Sequence, residues 1–211
     1  MGKMAGQLYR RWVKRNRDEV DRLSKGRLGY VHIRSMSDSS FRELYSEALG
    51  RMTGKEALVV DTRFNGGGDL VDDLVTFLNG KKYMSFKPPR QGIVGQESHD
   101  KWTNPSIVIA SEGNYSDAHC FPWAYHALKL GKIVGMPVAG TCTFVWWERL
   151  QDSSLVYGIP NMAVEGNNGT ALEGAQLEPD IRVMNEPSKV STGLDQQLET
   201  AVDVMLSEID K

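Results

Sequence analysis

Two junctions in this 211-residue chain put permissive or reactive residues where a strand gives way to a turn. Arg63-Phe64-Asn65-Gly66-Gly67-Gly68 closely follows the apolar run Ala57-Leu58-Val59-Val60, and Asn114-Tyr115-Ser116-Asp117-Ala118 follows Ile107-Val108-Ile109-Ala110. Consecutive glycines let backbone N–H groups approach a ligand without side-chain obstruction. A serine where a helix begins sits beside unpaired N–H donors and the positive end of the helix dipole. That pairing is what acyl transfer needs: an attacking hydroxyl and two donors for the oxyanion, with a base and an orienting group to activate the oxygen. The N–H of Asp117, directly after the serine, and the N–H of Gly68 are the donors such a junction offers. By themselves both motifs also read as a glycine turn and an ordinary Ser-Asp helix cap.

The surrounding pattern supplies the elements that would position these residues. Leu8, Trp12, Val20 and Leu23 recur at helical spacing among Arg10, Arg11, Lys14, Arg15 and Arg17, predicting an amphipathic basic helix whose charged face is solvated. Gly29-Tyr30-Val31-His32-Ile33 reads as a buried strand. A helix with Phe41, Leu44, Tyr45, Ala48 and Leu49 follows, capped by Asp38, Ser39 or Ser40 and stopped at Gly50. The runs at 57–60 and 107–110 have the uninterrupted apolar character of strands covered on both faces, and each leads through a short turn to a helix, the first starting at Asp69 and the second reaching about Leu130. With a short strand at 132–134, this alternation predicts an α/β fold with a mainly parallel sheet and helical crossovers. From Gly140 to Asn185 the composition favours short strands and turns. Asp180 to Val183 reads as a last strand, and Leu194, Leu198, Ala201, Val202, Met205 and Ile209 as a final helical stripe.

Bulk properties describe one domain with a substantial core: hydrophobic residues make up 40% and charged residues 25%. A formal net charge of -2 gives no overall drive toward nucleic acid or an anionic membrane. No apolar run approaches a membrane span, and no charged-then-apolar leader opens the chain. Cys120 and Cys142 are the only cysteines, and they read as buried free thiols rather than a disulfide framework or a zinc site. Phe144, Trp146, Trp147 and Tyr157 read equally well as the lining of a peptide groove or as core. Arg63 and Asn65 read as braces for the glycine turn.

Taken in order, Gly29-Tyr30-Val31-His32-Ile33, Asp61-Thr62-Arg63-Phe64-Asn65-Gly66-Gly67-Gly68, Ser116-Asp117 and Leu177-Glu178-Pro179-Asp180 resemble the catalytic core of the tail-specific (C-terminal-processing) serine proteases, and within them the tricorn-like branch. The resemblance covers nearly the whole chain. It implies a ClpP/crotonase-like spiral of ββα units and a serine-type endopeptidase. Ser116 would be the nucleophile, the N–H groups of Gly68 and Asp117 the oxyanion hole, and Glu173 the organising carboxylate, with Glu178 its rival. Gly67 and Lys87 would contact substrate. The Phe86–Gly92 loop resembles one that offers an aspartate to a basic substrate residue. Lys87 at that place reverses the charge and implies a preference for acidic or uncharged residues, while as a residue it also reads as a solvated lysine. The resemblance implies no metal and no organic cofactor. Its partners would be peptides or unfolded polypeptides, with no nucleic acid, no membrane and a possible homo-oligomer, in the cytoplasm unless an upstream leader exports the protein.

It also divides the chain. Residues 1–6 read as an expression-vector remnant, 7–28 as a linker helix and 29–211 as the protease core. The histidine base would come from an absent upstream domain, separated from the core by a PDZ module, so that the isolated chain is nearly inert. Of the histidines present, His119 is the strongest local rival as base. His32 reads as a satisfied core residue, His99 as exposed and His126 as lying on a helix side. Two other functions use the same fold: a crotonase-like acyl-CoA enzyme without a serine nucleophile, and a non-catalytic peptide-binding or assembly domain.

Overall fold

The computed structural model describes residues 3–211. Its centre is a five-stranded sheet, parallel throughout, in the order β1-β2-β5-β6-β9. The elements run α1 (Lys3–Leu23), β1 (Leu28–His32), α2 (Asp38–Leu49), β2 (Ala57–Asp61), α3 (Val71–Leu78), β3 (Met84–Phe86), β4 (Gly95–Glu97), β5 (Ser106–Ala110), α4 (Asp117–Ala127), β6 (Ile133–Gly135), β7 (Phe144–Arg149), β8 (Val156–Met162), β9 (Ile181–Arg182), α5 (Pro187–Ser191) and α6 (Gln196–Ile209). β3 pairs with β4 and β7 with β8 as separate antiparallel ribbons. Helix α1 begins inside the segment read as a vector remnant, whose first two residues lie outside the described part.

The apolar runs follow from this layering. Successive strand residues point to opposite faces, and both faces are covered. Leu58, Val60, Val108 and Ala110 pack with Leu44 of α2, Leu74 of α3 and Phe121 of α4. Val59, Ile107, Ile109 and Val134 pack on the other side with Val13 and Val20 of α1 and with Leu198, Val202 and Met205 of α6. Neither face of β2 or β5 is left to water, so these strands carry no alternation. Leu8, read into the α1 stripe, is instead 58% exposed.

Local punctuation differs from expectation at several helix ends. α2 is capped at Ser37, not at Asp38, Ser39 or Ser40. α3 begins at Val71 rather than Asp69, whose N–H donates to Met36 O in the preceding turn. α4 stops at Ala127 rather than near Leu130. α6 begins at Gln196, with the Asp195 side chain accepting the Leu198 N–H as its cap.

Candidate functional site

Parallel pairing of β2 with β5 brings their carboxyl ends together, and the two junctions meet there. The Asn65 carbonyl accepts the Tyr115 N–H at 3.0 Å, and Asn114 Nδ2 donates to Thr62 Oγ1 at 2.9 Å. Asn65 is fully buried and braces its own turn, donating through Nδ2 to Ile33 O at 2.8 Å and accepting the Gly67 N–H at 2.9 Å. Gly67 has φ +95°, and a Cβ there would lie 2.7 Å from Ser116 Cβ. Gly68 has φ +147°, and a Cβ there would meet Met36 O at 1.8 Å. Only glycine fits such φ values and contacts.

Ser116 caps α4 with φ 55° and ψ −126°, a conformation that L side chains rarely adopt. Its N–H donates to Thr141 Oγ1 at 2.9 Å. Among the described residues, neither the Asp117 N–H nor the Gly68 N–H has an acceptor, and no side chain is bonded to Ser116 Oγ. A cleft of about 440 Å³ opens here, lined by Ser116, Asp117, Gly68, Glu173, Phe144 and Trp147 among others. Four of the residues assigned from the resemblance therefore share one cavity, with Gly67 behind the serine. Lys87 is exposed just after β3 and is not part of that lining, and neither is Glu178, which accepts from Gln176 Nε2.

The Asp117 carboxylate turns back to accept the Leu70 N–H at 2.7 Å, tying the serine turn to the start of α3. Burial pushes its pKa up to about 6 from the ordinary 3.8, and the charge of Asp69 adds to the rise, while the Leu70 and Val71 N–H groups oppose it. A folded-state pKa raised in this way favours the protonated form. The contribution to stability is therefore fully present below about pH 3.8 and is lost as pH rises through 6. Asp117→Asn keeps an acceptor for Leu70 and does not titrate, so its denaturant midpoint should gain on wild type between pH 4 and pH 7. An unchanged difference between the two proteins at those pH values would refute this reading.

The histidines sort by their partners. His32 is half-buried between Tyr9 Oη and Arg63 O, at 2.9 and 3.0 Å, the satisfied residue expected from its strand. His99 is exposed beside Glu97, whose hydrogen bond raises its pKa. His126 is exposed and 3.9 Å from Asp180. His119 is completely buried, and its Nδ1 accepts the Thr141 N–H at 3.3 Å. Burial lowers its pKa, and its Nε2 has no partner.

Cys120 and Cys142, read as free thiols, are instead joined in a disulfide with Cα atoms 5.6 Å apart. The β5-α4-β6 crossover returns the chain past the start of α4, so a sequence separation of 22 becomes a direct neighbour. The core alternative for the aromatics fails as well: Phe144, Trp146, Trp147 and Tyr157 are 54%, 61%, 68% and 47% exposed on the β7–β8 ribbon. Thr141 was not singled out from the sequence, and no local pattern marks it, since its partners lie 22 and 25 residues away.

Comparison with known proteins agrees with this architecture. The model for "Peptidase family S41" matches residues 27–183. A putative tricorn-like protease C-terminal subunit of Sulfurisphaera tokodaii is 33% identical over 97% of this chain and 24% of its own length. The tricorn protease of Thermoplasma acidophilum is 29% identical over 95% of this chain and 19% of its own. The crystal structure of the tricorn protease superposes with a TM-score of 0.86 at 28% identity, covering 96% of this chain and 20% of that one. The chain thus spans roughly a fifth to a quarter of these relatives. The parallel sheet, the residues matched and the structural likeness agree that the chain belongs to peptidase family S41 and that its relatives are tricorn proteases.

Proposed function

We propose that this chain carries the nucleophile and oxyanion-hole half of a serine peptidase site acting on peptides or unfolded polypeptides. The observation that carries the reading is the pair of acceptor-free N–H groups, Gly68 and Asp117, beside a serine held at positive φ in the wall of an open cleft. Donors already in place and left unbonded can stabilise a developing oxyanion without reorganising. Glu173, exposed in the same cleft, would orient the catalytic set. The base comes from outside these residues. His119 is unsuited to the task, because its Nδ1 is engaged by Thr141 and its Nε2 is enclosed.

Fluorophosphonate labelling of the full-length protein, followed by mass spectrometry of the peptide containing Ser116, tests the reading. Modification at Ser116 that disappears in Ser116→Ala is the expected result. Coenzyme A binding with no serine modification would favour an acyl-CoA enzyme. Neither reaction in the full-length protein would leave a peptide-binding or assembly domain.

A further inference from the structure

The positive-φ serine turn is held from outside its own helix. Ser116 donates its N–H to a single acceptor, Thr141 Oγ1, at 2.9 Å. The Thr141 hydroxyl is itself oriented, since it donates to Ala139 O at 3.3 Å and so presents a lone pair to the serine. The Thr141 N–H donates to His119 Nδ1 at 3.3 Å, and burial lowers the pKa of that imidazole, favouring the neutral form that can accept. One residue further along each segment, Cys120 and Cys142 are covalently joined. The segment from Ala139 to Cys142 is thus fastened to the first turn of α4 by two hydrogen bonds and one disulfide, and every fastening lies within four residues of Ser116.

We propose that Thr141 is a positioning residue that holds Ser116 in its reactive conformation, and that the Cys120–Cys142 disulfide keeps Thr141 in place. Oxidation of the cysteine pair then sets the reactivity of the serine. The inference rests on the serine reading above. A small dithiol supplies two electrons and two protons: the Cys120–Cys142 bond breaks, two thiols form, and the reductant closes to its own disulfide. Cys120 is half-buried in the cleft lining, which gives such a reductant access to the bond. With the disulfide open, the Ala139–Cys142 segment is held against the serine turn by the two hydrogen bonds alone, and it is less able to oppose relaxation of a conformation that alanine or serine seldom adopts.

Two readouts test the proposal on the full-length protein and on this 211-residue chain. The first, read on the full-length protein, is the rate constant for fluorophosphonate modification of Ser116, together with kcat and KM on a peptide. The second is amide hydrogen exchange at Ser116, which needs no base and no turnover. Thr141→Val should slow modification and lower kcat by about ten-fold or more with KM little changed, and should speed Ser116 exchange by a similar factor. Thr141→Ser, which keeps the acceptor, should restore both to within about two-fold. Wild type reduced by a dithiol, with the mass gain of two hydrogens verified, should shift in the direction of Thr141→Val and recover on reoxidation.

Labelling and exchange unchanged in Thr141→Val would overturn the positioning role. Should that variant fail to fold, Thr141→Ser and the reduced wild type still decide: loss in the serine variant, or no response to verified reduction, refutes the proposal. A full-length wild-type protein whose Ser116 never reacts, yet whose exchange responds as described, would remove the serine reading and leave the fastening intact.

Discussion

Ser116→Ala in the full-length protein should lower peptide hydrolysis by about a million-fold while leaving the fold unchanged, since removal of a serine nucleophile costs on that order in comparable sites. The isolated chain should hydrolyse peptides negligibly even with Ser116 present, because no described side chain is bonded to its hydroxyl. Robust Ser116-dependent turnover by the isolated chain would sink the claim that the base is external. Stability should separate two replacements that activity cannot. Ser116 holds φ 55° and ψ −126°, a conformation costing about 1–3 kcal/mol for a residue with a Cβ. Ser116→Gly releases that strain at a cost of about 0.5–1 kcal/mol in backbone entropy. It also keeps the N–H bond to Thr141. The glycine variant should therefore be about 1 kcal/mol more stable than wild type in urea titration, and the alanine variant close to wild type. A glycine variant less stable than alanine would show that the turn is not strained.

Arg63→Ala should cost about 3–5 kcal/mol, the penalty of leaving a buried charge without its partner. Asp61 is completely buried, and Arg63 Nη2 and Nε reach its two carboxylate oxygens at 2.6 and 2.9 Å. Tyr30 Oη donates to the same carboxylate at 2.9 Å. Burial alone would raise the Asp61 pKa, and the guanidinium holds it below the usual value. Arg63 Nη1 extends the network to Asp195 and Gln197 at the start of α6. The loss would take a large share of a total stability of about 5–15 kcal/mol. The double variant Asp61→Leu with Arg63→Met, which removes both charges, should recover most of it, as measured by denaturant midpoints. A single variant within about 1 kcal/mol of wild type would mean that water reaches Asp61 and that the network contributes little.

What was legible in the chain was whatever depends on local period. β2 and β5 announced themselves as uninterrupted apolar runs because α1 and α6 cover one face while α2, α3 and α4 cover the other. Ser116, Asp117, Gly67 and Gly68 were legible as strand-turn-helix junctions, and parallel pairing alone then puts them side by side. What was hidden depends on chain return over long separations. Arg63 was read as a local brace, whereas it also reaches Asp195, 132 residues away. The Cys120–Cys142 bond and the Thr141 contact needed the position of β6, which periodicity does not give. The β3–β4 ribbon was hidden for another reason, and β7–β8 was legible only as short strands favoured by composition, without their pairing: β3 is exposed at every position and β8 at nearly every one, so no alternation of polar and apolar residues marks them.

Those two ribbons divide the molecule into parts of unequal cooperativity. The five-stranded sheet, sealed between two helical layers, would open only on global unfolding. A two-stranded ribbon has little to hold it beyond its own ladder and is marginal in water by itself. One wall of the cleft, the serine turn, grows from the most persistent unit of the fold, and the facing wall, carrying Phe144 and Trp147, comes from one of the least. Filling that cleft therefore means ordering one surface against another that is already fixed. Part of the free energy of any contact with Phe144 and Trp147 goes into lost ribbon entropy, so the cleft would accommodate chains of varied shape with modest affinity rather than one shape tightly.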